Sequence, residues 1–296
     1  MNIVVMAYSA LRQRARNRRR KNRSLVVQIL IFLFVFAAAL FMALPLIYTI
    51  SNAFKPLSEL FAFPPRFFVR HPTGQNFIDL ANLLSDSWVP FLRYITNTLF
   101  ITTVGTVGHI LIASMAAYAL ACGKFAGSRF IFSLIVVSLM FSSTVTAVPT
   151  YIIMSNIGWV DSYLSVIVPA FSSTLGLYLM KQFMDDVPPS LLEAAEIDGA
   201  GQLKILWKIV MPVVKPAWLT LLILMVQNLW NVNSPFIFTE SKKTLSAALS
   251  QVVAGGIGRA GVASVVAVIM MAVPITVFII TQSNVMETMS TSGMKE

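Results

Sequence analysis

Six long stretches of this chain contain no Asp, Glu, Lys or Arg: residues 24–54, 94–123, 130–160, 162–180, 216–239 and 260–286. A bilayer core about 30 Å thick takes about 20 residues of helix. Each stretch is long enough for one crossing, and none comfortably holds two. The spacing predicts an all-α polytopic membrane protein with six transmembrane helices. Pro169, Gly176 and several serines dilute the fourth stretch, so a five-span alternative keeps 162–180 as a buried or re-entrant piece. Composition excludes an ordinary soluble domain: hydrophobic types make up 57% of the 296 residues and charged types only 11%, against about 25% charged in soluble domains. The first stretch is longer than the apolar core of a secretory signal, and no small-x-small cleavage site follows it. It reads as a retained signal anchor.

The few charges report topology. Residues 1–23 hold Arg12, Arg14, Arg16, Arg18, Arg19, Arg20, Lys21 and Arg23 and no acid. Basic flanks stay in the cytoplasm, so the N-terminus is expected inside, and six crossings return the C-terminus to the same side. Most of the 22 Lys and Arg residues then fall inside, and the net charge of +10 is largely this signal. A basic arm abutting an apolar span calls for anionic lipid rather than nucleic acid. The expected organisation is a cytoplasmic basic arm (1–23), a transmembrane region (24–282) and a cytoplasmic tail (283–296). Residues 55–93, with prolines at 56, 64, 65, 72 and 90, form an external loop with short helical pieces. A single cysteine, Cys122, excludes an intramolecular disulfide or a cysteine-cluster metal site, and His71 and His109 offer no metal constellation.

Residues 181–215 form the one sizeable inner loop. Its local signals are helix, turn, helix. Pro188-Pro189-Ser190 opens a helix, with Ser190 as N-cap and Glu193 completing a capping box. Gly199 and Gly201 end it, with a left-handed residue at the stop. A second amphipathic piece, residues 202–210, spaces Leu203, Leu206, Trp207 and Val210 by three and four. Pro212 and Pro216 close it. So much apolar surface must pack on something, either the membrane surface or a cytoplasmic partner.

Glu193-Ala194-Ala195, followed by Gly199, Ile209 and Pro212, resembles the EAA loop of permease subunits of binding-protein-dependent ABC importers. With Ile197-Asp198-Gly199-Ala200 the string is similar to the MalG-like half of the carbohydrate-type permeases, although Met211 stands where leucine is usual. The resemblance runs over residues 24–296 through Asn97-Thr98-Leu99, residues 116–120, 124–127 and 149–151, Gly158, Asp161-Ser162-Tyr163, residues 181–184, Trp230-Asn231 and Gly293-Met294-Lys295. The basic arm lies outside it.

That resemblance implies a type I ABC importer permease fold in a bacterial inner membrane, carrying a sugar or oligosaccharide delivered by an extracytoplasmic solute-binding protein. It implies a second permease subunit, in a heterodimer, and two separate ATPase subunits that bind ATP and Mg. It further implies that the loop docks in a cleft of an ATPase. There Glu193 would pair with a basic group, Ala194 and Ala195 permit close approach, and Asp198-Gly199 and Pro212 complete the coupling element. The C-terminal tail would be a second, smaller coupling element. No G-x-x-x-x-G-K-[ST] string occurs in the chain, so no nucleotide or cofactor site is expected here and the chain is not expected to be an enzyme.

Polar groups at membrane depth are costly and tend to face a bundle interior. Candidates for a substrate pathway are Ser142, Ser143, Thr144 and Thr146 in the third stretch, Tyr151 beyond them, and Gln227, Asn228, Trp230, Asn231 and Asn233 in the fifth. Amides would bond sugar hydroxyls and rings would stack; helix packing is the competing role. Lys242, Lys243 and Arg259 fall outside, where they would favour an acidic sugar or meet the binding protein. An ion-coupled secondary transporter would place an acid or histidine at mid-span, and His109 is the sole such group. A membrane scaffold without transport is the remaining alternative.

Overall fold

The computed structural model describes residues 25–85, 89–123 and 125–292, and every regular element among them is a helix. The basic arm lies outside the described residues. Helix α1 (Leu25–Ala53) is apolar around its whole circumference and leaves nearly all of its side chains exposed. Such a helix suits lipid on most sides. Short α2 (Leu57–Leu60) and amphipathic α3 (Gln75–Ser85) follow in the loop. The latter buries Asn76, Leu80 and Leu84, four residues apart.

Helix α4 (Phe91–Ala121) is the mast of the molecule. It buries one continuous stripe that includes Tyr94, Thr98, Ile101, Gly105, His109, Ala113 and Ala117. Against it pack α7 (Leu164–Phe171), α8 (Thr174–Asp185) and α12 (Lys215–Trp230). The last helix, α14 (Ala260–Ser292), packs on α12 and α1. Three apolar cores stack along this axis. One surrounds Ala117, Met180, Met184, Leu206 and Val210 at one end. A central one holds Ile101, Val166, Met225 and Leu229. The third holds Tyr94, Trp230, Leu249 and Val265 at the other end.

Among the described residues four helical stretches are long and apolar enough to cross a membrane, Val26–Ala53, Phe91–Ala121, Leu164–Asp185 (α7 and α8 taken end to end) and Ala260–Ser283. Gln202–Val213 and Lys215–Trp230, two helices bent by 82°, are long and apolar enough only when taken together, and count as a fifth if the bent pair is one span. The architecture is thus all-α and multi-pass, with four to five crossing helices where the uncharged stretches predict six. The third stretch accounts for the difference. It breaks into α5 (Ser128–Ser138) and α6 (Ser143–Asn156), whose 11 and 14 residues span about 16 and 21 Å. At the break Ser142 is extended, and its hydroxyl accepts the Thr144 N–H at 3.3 Å. A polar side chain competing for backbone donors starts a new helix there. The fifth stretch is helical only to Trp230; its remainder, with Asn231, Asn233, Ser234 and Pro235, is irregular.

His109 is wholly buried and its Nδ1 lies 3.2 Å from the Phe171 carbonyl, beside the break between α7 and α8. A carbonyl only accepts, so Nδ1 carries the proton. Nε2 faces Gly176, where an added Cβ would stand 1.9 Å away. Gly176→Ala is therefore expected to lower the thermal midpoint of the detergent-solubilised protein, by an overpacking cost of about 1–3 kcal/mol. His109→Ala in the same chain should recover much of the loss. Equal melting of Gly176→Ala and the parent would show that the two helices are not held at this contact.

Candidate functional site

The 181–215 loop folds into a helical hairpin at one end of the bundle. Helix α9 (Pro189–Ile197) begins at Pro188, with Pro189 at its first position, and no side chain caps it. The expected Ser190–Glu193 capping box does not form. A proline at the first position presets the backbone and needs no donor, which moves the helix start upstream of Ser190. The C-terminal stop follows expectation. Gly199 is left-handed at φ +75°. Its N–H bonds to the Glu196 carbonyl and the Ala200 N–H to the Ala195 carbonyl, each at 3.0 Å. This pair of bonds is a Schellman motif, and Ala195 and Ala200 meet in the adjoining core.

The return arm winds through α10 (Gln202–Ile205), a π-helical turn (Leu206–Val210) and α11 (Met211–Val213). A π turn carries an extra residue and so rotates the buried face. Ile205, Leu206, Val210 and Met211 are buried, while Leu203 and Trp207 are turned out. The regular three-and-four spacing puts Leu203, Leu206, Trp207 and Val210 on one face; the structure divides them between the core and the surface. The hairpin is tied to the mast by side chains: the Tyr118 hydroxyl donates to Gln202 Oε1 (2.6 Å), and Gln202 Nε2 donates to Glu196 Oε1 (2.9 Å).

The outward surface consists of Glu193, Ala194, Ile197, Asp198, Leu203 and Pro212, all exposed, with Ile197 at 87%. Ala195 faces inward at 7%. Glu193 and Glu196 also line a cleft of about 210 Å³ with Asp185 and Cys122. Burial pushes the Cys122 thiol above its usual range, and the Asp185 charge adds to this. The cleft is anionic and suits a cationic side chain.

A second cavity, about 530 Å³, opens between α6, α7 and α12. Thr150, Ser165, Ser173, Asn228, Asn233 and Phe236 line it, and no charged residue does. Of the pathway candidates Asn228 and Asn233 line it. Tyr151 is half exposed beside it, its ring 6.0 Å from that of Phe236. Ser142, Thr144, Gln227 and Asn231 are exposed elsewhere. Asn231 Nδ2 donates to the Gln227 carbonyl at 2.8 Å. Trp230 is buried, with Nε1 donating to the Met270 carbonyl at 3.1 Å, and packs α12 on α14. Sequence reasoning passed over Thr150, Ser165 and Ser173. The signal available was the Pro169, Ser172-Ser173 interruption that opens the α7–α8 wall.

The opposite end is held by a polar clamp. Asp161, left-handed at φ +58°, accepts from Phe238 N–H (3.1 Å), Thr239 N–H (2.9 Å), the Thr239 hydroxyl (2.6 Å) and Lys242 Nζ (3.2 Å). Asn97 Nδ2 donates to the Ser241 and Lys243 carbonyls, and Tyr163 donates to Asn97 Oδ1. Burial acts to raise the Asp161 carboxyl, but the Thr239, Lys242 and Phe238 bonds outweigh it and hold the group at about 2. Lys243 pairs with Glu240, and Arg259 Nη1 donates to the Val252 carbonyl. These cations are engaged within the fold. Among the described residues no group of three His, Cys, Asp or Glu is placed to hold a metal ion.

The model of the family described as "Binding-protein-dependent transport system inner membrane component" matches residues 109–289, more than half of the chain. Protein LplC of Bacillus subtilis (strain 168) is 30% identical over 193 residues, covering 64% of this chain and 61% of that protein. The polygalacturonan/rhamnogalacturonan transport system permease protein YtcP of the same organism is 28% identical over 193 residues, covering 65% of each. The matched region thus spans less than two thirds of either relative. A chain of a bacterial ABC transporter involved in the import of the acidic polysaccharide alginate shares the fold, with a TM-score of 0.70 and 22% identity over 87% of this chain and 96% of that one. The EAA-type hairpin, the multi-pass helical fold and the family match agree: the chain belongs to the inner membrane components of binding-protein-dependent transport systems.

Proposed function

We propose that this chain is the transmembrane subunit of an ATP-driven importer for a sugar or oligosaccharide. The observation that carries the reading is the α9 hairpin. Its stop is locked by Gly199, its inner face joins the core of α4, α8 and α12, and its outer face offers Glu193, Ala194, Ile197 and Asp198 to a partner. Closely packed elements move as rigid bodies, so a push on this face reaches the crossing helices. The partners are two ATPase subunits that bind ATP and Mg, a second permease subunit and a solute-binding protein. The hairpin and both termini are cytoplasmic, and the split α5–α6 pair supplies the sixth crossing of a type I importer fold. Residues 1–23 form a cytoplasmic arm and 283–296 a cytoplasmic tail. The pathway runs past the cavity at Asn228, and Ser142, Thr144, Tyr151, Gln227 and Asn231 face it in other states of the transport cycle. An uncharged lining of hydroxyls and amides suits sugar hydroxyls, and YtcP is named for polygalacturonan/rhamnogalacturonan transport.

The test is ATP hydrolysis by the reconstituted complex with and without loaded binding protein. Glu193→Arg reverses the charge at the anionic cleft and is expected to reduce the stimulated rate by tenfold or more, with basal hydrolysis unchanged. Wild-type stimulation in Glu193→Arg would remove the coupling role.

A further inference from the structure

The loop that follows α1 closes tightly on itself. The Thr73 N–H bonds to the Phe54 carbonyl at 2.8 Å, and Asn76 Nδ2 donates to the carbonyls of Ala53 and Lys55. Inside it Lys55 is 2% exposed, and its Nζ donates to Asn52 Oδ1 (2.7 Å) and the Arg66 carbonyl (2.6 Å). The Glu59 carboxylate accepts the N–H groups of Arg70 and His71. Both buried charges are thus spent on holding the backbone of residues 66–71. What the loop presents outward has the opposite character. Phe61, Phe63 and Phe68 are 55%, 95% and 69% exposed, with Arg66 and Arg70 exposed among them. Neither guanidinium has a carboxylate partner among the described residues.

The depth of this surface follows from α1. Its apolar span of 28 residues, Val26–Ala53, rises about 42 Å, more than the hydrocarbon core of about 30 Å and close to a whole bilayer with headgroups. The last turns of α1 therefore stand at headgroup level. Tyr48 is in those turns, and the loop folds back onto it: the Phe67 ring lies 5.5 Å from the Tyr48 ring, and Lys55 Nζ lies 5.0 Å from it. The loop is carried beside a lipid-facing helix end, at the height where aromatic rings and cations partition.

We propose that residues 61–70 are an interfacial anchor, with Phe63 and Phe68 inserted among lipid headgroups and Arg66 and Arg70 paired with phospholipid phosphate. The proposal rests only on α1 crossing the bilayer. A rigid anchor here would fix the height and tilt of α1, which otherwise touches little but α14.

The test uses the reconstituted complex in nanodiscs, with Phe63→Cys in a Cys122→Ser background labelled with bimane. Phe63 is so exposed that labelling leaves the fold intact. Asn82→Cys on α3 is the reference site. A headgroup nitroxide lipid is expected to quench the label at 63 about twofold or more beyond its effect at 82, while iodide quenches it less. Arg66→Gln with Arg70→Gln should weaken the lipid quenching, most strongly in discs containing phosphatidylglycerol. Iodide access at 63 equal to that at 82 would overturn the proposal. So would iodide access that disappears only on adding the binding protein, which would make the surface a protein docking site.

Discussion

Gly199→Val is expected to abolish stimulation of ATP hydrolysis by loaded binding protein, while Gly199→Asn keeps most of it. Neither meets a steric clash, because a Cβ at this position has nothing within 4 Å, so within the fold the two are separated by backbone preference. At φ +75° an L-residue pays about 1–2 kcal/mol, a β-branched one more, and asparagine least. Valine relaxes toward negative φ. The bonds from Gly199 and Ala200 to Glu196 and Ala195 then break, and the return arm re-aims. Glu193 and Ala194 keep their chemistry but lose their place relative to Ile205 and Leu206, which anchor the hairpin in the core. The expected loss is tenfold or more in the stimulated rate, with the complex still assembled. Equal stimulation in the valine and asparagine variants would show that hairpin geometry is not what couples the subunits.

The parts of the fold written in local pattern were legible in the sequence. Absence of charge marked α1, α4 and α14, where a helix apolar enough for lipid needs no further information. Gly199 announced its turn because few residues take a left-handed conformation. What was hidden depended on contacts distant in the chain or on single hydrogen bonds. Residues 231–239 carry no charge and so read as span, yet Asn231, Asn233 and Ser234 take the backbone out of helix. One hydroxyl at Ser142 splits the third stretch. Trp230 and Asn228 sit two positions apart on one helix, hence on different faces, and only the crossing of α12 with α14 shows which enters the core and which the cavity. Lys242 looked free for an acidic substrate because its partner, Asp161, precedes it by 81 residues.

Asp161→Ala is expected to be the most destabilising single change at the end of the bundle opposite the hairpin. It removes the acceptor for two backbone N–H groups and the Thr239 hydroxyl, leaves Lys242 Nζ with the residue's main-chain carbonyl at 2.6 Å but no carboxylate, and puts alanine at φ +58°. Charged hydrogen bonds and left-handed backbone together put the loss on the order of 2–4 kcal/mol. Segment 236–242 would loosen against the turn before α7, where the bonds of the residue-161 N–H to the Phe236 carbonyl and of Lys242 Nζ to the residue-161 carbonyl remain, and Phe236 would loosen in the cavity wall. Uptake should fall together with the melting temperature. Asp161→Asn tolerates the left-handed backbone and keeps one acceptor oxygen, so it isolates the charge. The folded-state carboxyl, at about 2, lies below its ordinary value of 3.8. The stabilisation it supplies is therefore complete above 3.8 and is lost as pH falls through about 2. The melting-temperature gap between wild type and Asp161→Asn should stay constant from neutral pH down to about 5 and narrow below about 4, whatever other groups titrate in both proteins. A gap that holds its neutral-pH size near pH 3 would mean that the Asp161 charge does not hold the clamp closed.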